Sequence, residues 1–309
     1  MQSGFFKTLS VGVLALTLGL VGCSKDESSQ TAANTSSDTA ATAKKVITIG
    51  TTVGDFGDMV KDSIKPILEK KGYEVKLVEF SDFVQPNLAL SEGSLDVNVF
   101  QHKPYLDTFA AEHKLALSSV FQVPTAPLGI YSGKLTSLDQ VTNGTTVSAP
   151  NDPSNFARAL VMVAELGWVK LKDNINPLTA SERDIAENPK NIKFVPLEAA
   201  QLPRSRQDVD FAIVTGNYAT SSGMKLTEAL YQEPSFAYIN WGAVRTKDLN
   251  EAWVKDVIDA YSSDEFKAYC AQRFVGYKQP EAWGTQKQDE SNTASGVSQV
   301  SETVASDVK

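Results

Sequence analysis

Residues 46–100, VITIGTTVGDFGDMVKDSIKPILEKKGYEVKLVEFSDFVQPNLALSEGSLDVNVF, decide the fold. The run 46–50 (VITIG) is β-rich, and 58–71 then places Met59, Ile64, Ile67 and Leu68 at helical spacing before Gly72 stops the helix. Residues 73–80 (YEVKLVEF) alternate as a second strand, 87–93 form a short helix closed by Gly93, and 95–100 (LDVNVF) read as a third strand. That βαβαβ order predicts a parallel sheet covered by helices. The pattern resumes with strands at 145–149, 192–196 and 211–214, a helix at 154–166, and helices around 181–186 and 198–202. Sheets of this kind bind ligands beyond the carboxyl ends of their strands, so the loops after these runs are where site residues are expected.

The ends of the chain read differently. Lys7 precedes an apolar run at 9–20 too short for a typical membrane span, so residues 1–22 are expected to be a secretory signal. The run closes in Leu20-Val21-Gly22-Cys23, which resembles the lipobox of bacterial lipoproteins and implies a lipid on Cys23; an ordinary signal with an incidental cysteine is the alternative. Residues 23–43 then serve as lipid anchor and flexible tether, since 24–43 contain no large apolar side chain to offset the entropy of ordering. The same composition at 285–309 predicts a disordered tail.

Composition excludes several functions. With 37 acidic and 29 basic residues and a net charge of −8, the chain shows no electrostatic footprint for nucleic acid. Two cysteines and two histidines leave little material for a zinc site or a disulfide framework, so neither metal nor cofactor is expected. If Cys23 carries lipid, Cys270 has no partner in the chain and should be buried.

Several motifs carry chemistry. The glycine-spaced loop 50–57 lacks the Gly-Lys-Ser/Thr of a P-loop, and its glycines read as tight-turn residues that let a helix start close to a pocket. In 150–160, Ser154 can cap a helix whose first turns carry Asn155 and Arg158 on one face. An arginine at a helix N-terminus does not complement the macrodipole, so something else must favour it. A ligand carboxylate held by the guanidinium fork fits that need, with a surface salt bridge as the alternative. Phe80, Phe83, Phe100, His102 and Tyr105 fall at strand ends around one cleft and would suit an apolar side chain such as a thioether, with an ordinary aromatic core as the alternative. His102 has no nucleophile or carboxylate at triad spacing and reads as a hydrogen-bonding wall residue, while His113 belongs to a polar, exposed helix.

The stretches VNVFQHKPYLD (97–107), SAPNDPSNFARAL (148–160), ENPKNIKFVPLEAAQLPRS (187–205) and GNYA (216–219) resemble the NlpA/MetQ family, the methionine-binding lipoproteins of ABC importers. The likeness runs from about 44 to 284. It implies an α/β, two-lobed periplasmic-binding-protein-like fold of type II kind, with two parallel or mixed sheets joined by two crossovers and closing on an amino acid by hinge motion. Lobe 1 would be 44–126 plus 239–284 and lobe 2 would be 127–238, with Pro124 and Pro127 flanking one crossover. It also implies that Arg158, beside Asn155, clamps the ligand carboxylate, that Phe83, Phe100, His102 and Tyr105 line the side-chain pocket, and that Asn217 and Asn240 bind polar groups of the ligand. The sequence departs from the family pattern at Phe83, where tyrosine is common, at Thr215, where asparagine is frequent, and at Trp241-Gly242, which could resize the pocket floor.

The resemblance therefore implies a lipid-anchored protein of the cell envelope that catalyses nothing, binds methionine in the L or D form, and delivers it to a permease and its ATPase. A methionine-containing dipeptide, another apolar amino acid, or a surface lipoprotein with an adhesin role are the alternatives.

Overall fold

A computed structural model describes residues 44–284. The expected signal (1–22), the lipid-bearing Cys23 with its tether (23–43) and the tail (285–309) lie outside the described residues. The first strand, β1 (Val46–Thr52), is buried from Ile49 onward and leads into α1 (Asp55–Met59), a π-helical turn (Val60–Ile64) and α2 (Lys65–Lys70). Together these occupy the predicted helix, and Met59, Ile64, Ile67 and Leu68 are all buried, as their spacing requires. Next come β2 (Glu74–Phe80), α3 (Gln85–Glu92), β3 (Val97–His102), α4 (Lys103–His113) and β4 (Leu117–Val123).

The chain then passes to a second group of elements. These are β5 (Gly129–Ser132), β6 (Thr146–Pro150), α5 (Pro153–Glu165), β7 (Lys170–Leu171), β8 (Ile185–Glu187), β9 (Lys193–Leu197), α6 (Leu202–Ser205), β10 (Phe211–Val214), α7 (Gly216–Ser221) and β11 (Tyr231–Gln232). It returns through β12 (Asn240–Arg245) and ends in α8 (Ala252–Ser262) and α9 (Asp264–Arg273).

The strands form two five-stranded mixed sheets, ordered β2-β1-β3-β12-β4 and β11-β5-β10-β6-β9, with β7 and β8 paired separately. β1 is parallel to β2 and β3, and β6 is parallel to β9 and β10, which are the portions legible as βαβ units. β12 runs antiparallel to β3 and β4, and β5 antiparallel to β10 and β11. The fold is the expected two-lobed α/β arrangement, with the chain passing between the sheets after β4 and again before β12.

Two expected helices are corrected. Around 181–186 there is a single 3₁₀ turn, Glu182–Asp184, that runs directly into β8. Around 198–202 a 3₁₀ turn, Ala199–Gln201, precedes the short α6, because Pro203 occupies its first turn rather than its interior.

Each sheet has its own core. Under the first, Ile49, Val97 and Val99 pack with Trp253, Val257 and Tyr261 of α8 and Phe266 and Cys270 of α9. Under the second, Leu160, Met162 and Val163 of α5 pack with Trp168, Phe211 and Ile213. Cys270 is a free, fully buried thiol that burial pushes up to about 12, which keeps it protonated and unreactive. No described helix is long and apolar enough to cross a membrane.

Candidate ligand-binding site

The carboxyl ends of the parallel strands converge on one cavity between the two sheets, which encloses about 470 Å³ of space, part of it open to solvent. β1 delivers Asp55 and Phe56, β3 delivers Phe100, His102 and Tyr105, β6 leads to Asn155 and Arg158, and β10 leads to Thr215 and Asn217. Phe83 and Asn240 complete the wall. Every ligand-contact residue expected from the sequence, namely Phe83, Phe100, His102, Tyr105, Asn155, Arg158, Asn217 and Asn240, therefore lines the same cavity.

Local sequence explains how these side chains are aimed. His102 ends β3 in an extended conformation and caps α4, its Nδ1 accepting the Tyr105 backbone N–H at 3.1 Å. That bond leaves the ring proton on Nε2, which donates to Asn155 Oδ1 at 3.0 Å. Burial, aided by the charge on Arg158, lowers the imidazole to about 3, so His102 is a neutral donor and not a general base. The cap of α5 is Asp152, not Ser154 as expected; Asp152 accepts the Asn155 backbone N–H at 2.9 Å, and Ser154 Oγ donates to Asp152 at 3.0 Å. Pro153 makes the difference, because it takes the first helical position and pushes the cap back by two residues.

Asn155 is consumed by its neighbours: its Oδ1 accepts from His102 and from Arg158 Nη1, and its Nδ2 donates to Asp152. It orients the site more than it offers a free group to a ligand. Asn240 sends its side-chain N–H to the Phe100 carbonyl at 2.9 Å, and its backbone N–H to Thr125 Oγ1 at 2.8 Å. Asn217 reaches across from α7 to Thr52 Oγ1 at 3.4 Å.

Arg158 is buried, and the sequence did not show its partner. Glu233 accepts from Nε at 3.0 Å and from Nη2 at 2.7 Å, a two-pronged pair. The salt bridge weighed as the alternative to a ligand carboxylate therefore exists, in the interior rather than at the surface. It does not exhaust the guanidinium. Of five N–H donors, two go to Glu233 and one to Asn155, which leaves one hydrogen on each terminal nitrogen for an incoming carboxylate. The Tyr238 ring covers the guanidinium at 4.5 Å. Burial would raise the Glu233 carboxyl, yet the charges and hydrogen bonds of Arg158 and then Lys278 hold it below the usual range, so it is ionised.

The apolar part of the wall is aromatic. Phe83 lies 6.0 Å from Phe100, 6.0 Å from Tyr105 and 5.2 Å from Tyr218, and the Tyr105 hydroxyl donates to the Phe83 carbonyl at 2.9 Å. Phe80 is not part of it: it ends the edge strand β2 and packs instead with Leu90, Leu95 and Leu106. Trp241 is also outside the wall, because β12 alternates and the bulge after Trp241 leaves Asn240 as the residue on the cavity side. Gly242 faces the Phe121 ring, which a Cβ would meet at 2.1 Å. Thr215, by contrast, lines the cavity with a buried hydroxyl that has no partner, a group available to a ligand.

Asp55, absent from the expected set, is the acidic member of the wall, and burial raises its carboxyl against the hydrogen bonds from Thr220 and Tyr277. Its neighbourhood in the 50–57 loop carried no acid-specific signal in the sequence.

The model of NlpA lipoproteins matches residues 47–283. The chain belongs to the NlpA lipoprotein family. Among its relatives, the D-methionine-binding lipoprotein MetQ of Salmonella typhi is 41% identical over 225 residues, covering 72% of this chain and 78% of that protein. Outer membrane lipoprotein 2 of Mannheimia haemolytica is 37% identical over 220 residues, 71% of this chain and 78% of that protein. A nutrient binding protein from Burkholderia cenocepacia, solved bound to methionine, superposes with a TM-score of 0.71 at 40% identity and covers 74% of this chain and 97% of that one. As a member of the NlpA family the chain is a binding protein, not an enzyme.

Proposed function

We propose that this NlpA lipoprotein captures methionine, in the L or D form, between its two lobes and delivers it to an ABC permease and its ATPase, held to the cell envelope by lipid on Cys23. The observation that carries the reading is Arg158: a buried guanidinium in an aromatic cavity, with one N–H spare on each terminal nitrogen. Those N–H groups suit the carboxylate, and the Phe83, Phe100 and Tyr105 rings suit the thioether at favourable sulfur–aromatic contact. The carboxamide of Asn240 and the unpartnered hydroxyl of Thr215 are at hand for the amino group. Relatives named as D-methionine-binding and a neighbour solved with methionine support the choice of ligand.

In this reading, lobe 1 comprises 44–126 plus 239–284 and lobe 2 comprises 127–238, and closure brings His102 of the first against Asn155 of the second. The test is mass spectrometry of small molecules released from the purified protein by denaturation. Methionine is expected; recovery of a peptide or a charged amino acid in its place would overturn the assignment.

A further inference from the structure

Glu233 does not line the cavity; it sits behind Arg158, at the end of β11 where the chain turns back toward the first sheet. It is buried, ionised and gripped from both sides, by Arg158 at 2.7 and 3.0 Å and by the Lys278 ammonium at 3.4 Å. Lys278 also donates to the Ser235 carbonyl and lies 5.6 Å from the centre of the Phe236 ring, which ties down the segment that carries Glu233. A carboxylate held this way cannot swing aside when a ligand arrives.

We propose that Glu233 is a positioning residue that makes this receptor select zwitterions over anions, by fixing Arg158 edge-on and cancelling its charge. The inference rests on reading the cavity as an amino-acid site. A lone buried arginine would attract any carboxylate through its net charge. Paired with Glu233, it offers two directed N–H groups from a pair with no net charge, and the one unbalanced cation of the cluster, Lys278, does not line the cavity, so a simple anion gains hydrogen bonds but less attraction than a lone arginine would supply. A zwitterion enters without net charge, so it makes the same hydrogen bonds to Arg158 while its own ammonium offsets the carboxylate that is buried.

The experiment is competition calorimetry with methionine and its 2-hydroxy analogue, which keeps the carboxylate and thioether but replaces the ammonium by a hydroxyl and is therefore an anion. The unmodified chain is expected to prefer methionine. In Glu233→Gln the preference should fall by roughly tenfold or more, because the field of Arg158 is no longer cancelled. In Lys278→Met, where a cation is removed instead, the preference should rise. Glu233→Asp, which restores the charge, should recover most of the original ratio. A purely structural role would weaken both ligands by one factor and leave the ratio unchanged in every variant; that outcome, or a fall in Lys278→Met, overturns the proposal. Should Glu233→Gln fail to fold, the direction of change in Lys278→Met decides alone. If the unmodified chain binds neither compound, the amino-acid reading itself fails, a result distinct from these.

Discussion

Arg158 shows how one side chain can be both structural and open to a ligand. Its Nε edge belongs to Glu233, and its terminal nitrogens each keep a free hydrogen. Lysine retains the charge but lacks the fork, so Arg158→Lys should lower methionine affinity by about 2–5 kcal/mol in calorimetry while the chain stays folded. An unchanged affinity would remove the arginine from carboxylate recognition. His102 supports a second expectation, in pH. Its folded value of about 3 lies below the ordinary 6.5, so on acidification the unfolded chain takes up a proton that the folded one refuses. Stability should therefore fall between pH 6.5 and 3, by at most about 1.4 kcal/mol per pH unit from this group. His102→Asn keeps an acceptor to cap α4 and should flatten that slope in denaturation curves taken across the window. Phe83, Phe100, His102, Tyr105, Asn155 and Arg158 were legible from the sequence because each follows a recognisable strand or sits in a distinctive motif, Asn217 and Asn240 came from the family resemblance alone, and Asp55 was missed. Glu233 and Lys278 were not legible, since they lie 75 and 120 positions from Arg158 along the chain and nothing in their local sequence marks them as its company.

At the scale of elements, buried polar contacts hold the site's strands in register. Asn87 of α3, Asn98 and Gln101 of β3 form a closed amide network, with Asn87 Nδ2 donating to Gln101 Oε1 at 2.7 Å and Gln101 Nε2 returning to Asn87 Oδ1 at 2.7 Å. Asn87→Leu would orphan the other two amides, and it should cost about 2–3 kcal/mol in urea denaturation. A change within a few tenths would mean that the network contributes packing alone. Gly54 is a second such point: its φ is 101°, and a Cβ would lie 2.8 Å from that of Ser221 on α7. The turn that starts α1 at the cavity thus requires glycine, as the 50–57 loop suggested. The helix-and-strand alternation of β1 to β3 was readable because β1 and β3 are buried, β-rich runs, the edge strand β2 alternates apolar with polar residues, and glycines close the intervening helices. β4, β5, β11 and β12 were not, because their antiparallel partners are distant in sequence, β11 is only two residues long, and β12 carries a glycine and a bulge.

At the scale of the whole molecule, the cavity exists only where the two sheets face one another. Its wall is drawn from both, and the contacts that cross it, His102 to Asn155, Asn217 to Thr52, Tyr218 to the Ser81 carbonyl and Thr220 to Asp55, run between elements of different sheets. A ligand that joins in those contacts should stabilise the closed arrangement, and methionine at a hundred times its dissociation constant should raise unfolding free energy by about 2.7 kcal/mol. The two-lobed plan was legible from the family resemblance, whereas the way its halves meet depends on side chains that only the folded chain brings together. The most direct test of the central claim is a calorimetric titration of the ligand-free protein with methionine, norleucine and glutamate in turn. Methionine should bind at one site, norleucine less tightly, and glutamate least of all. Glutamate binding as tightly as methionine would contradict the account.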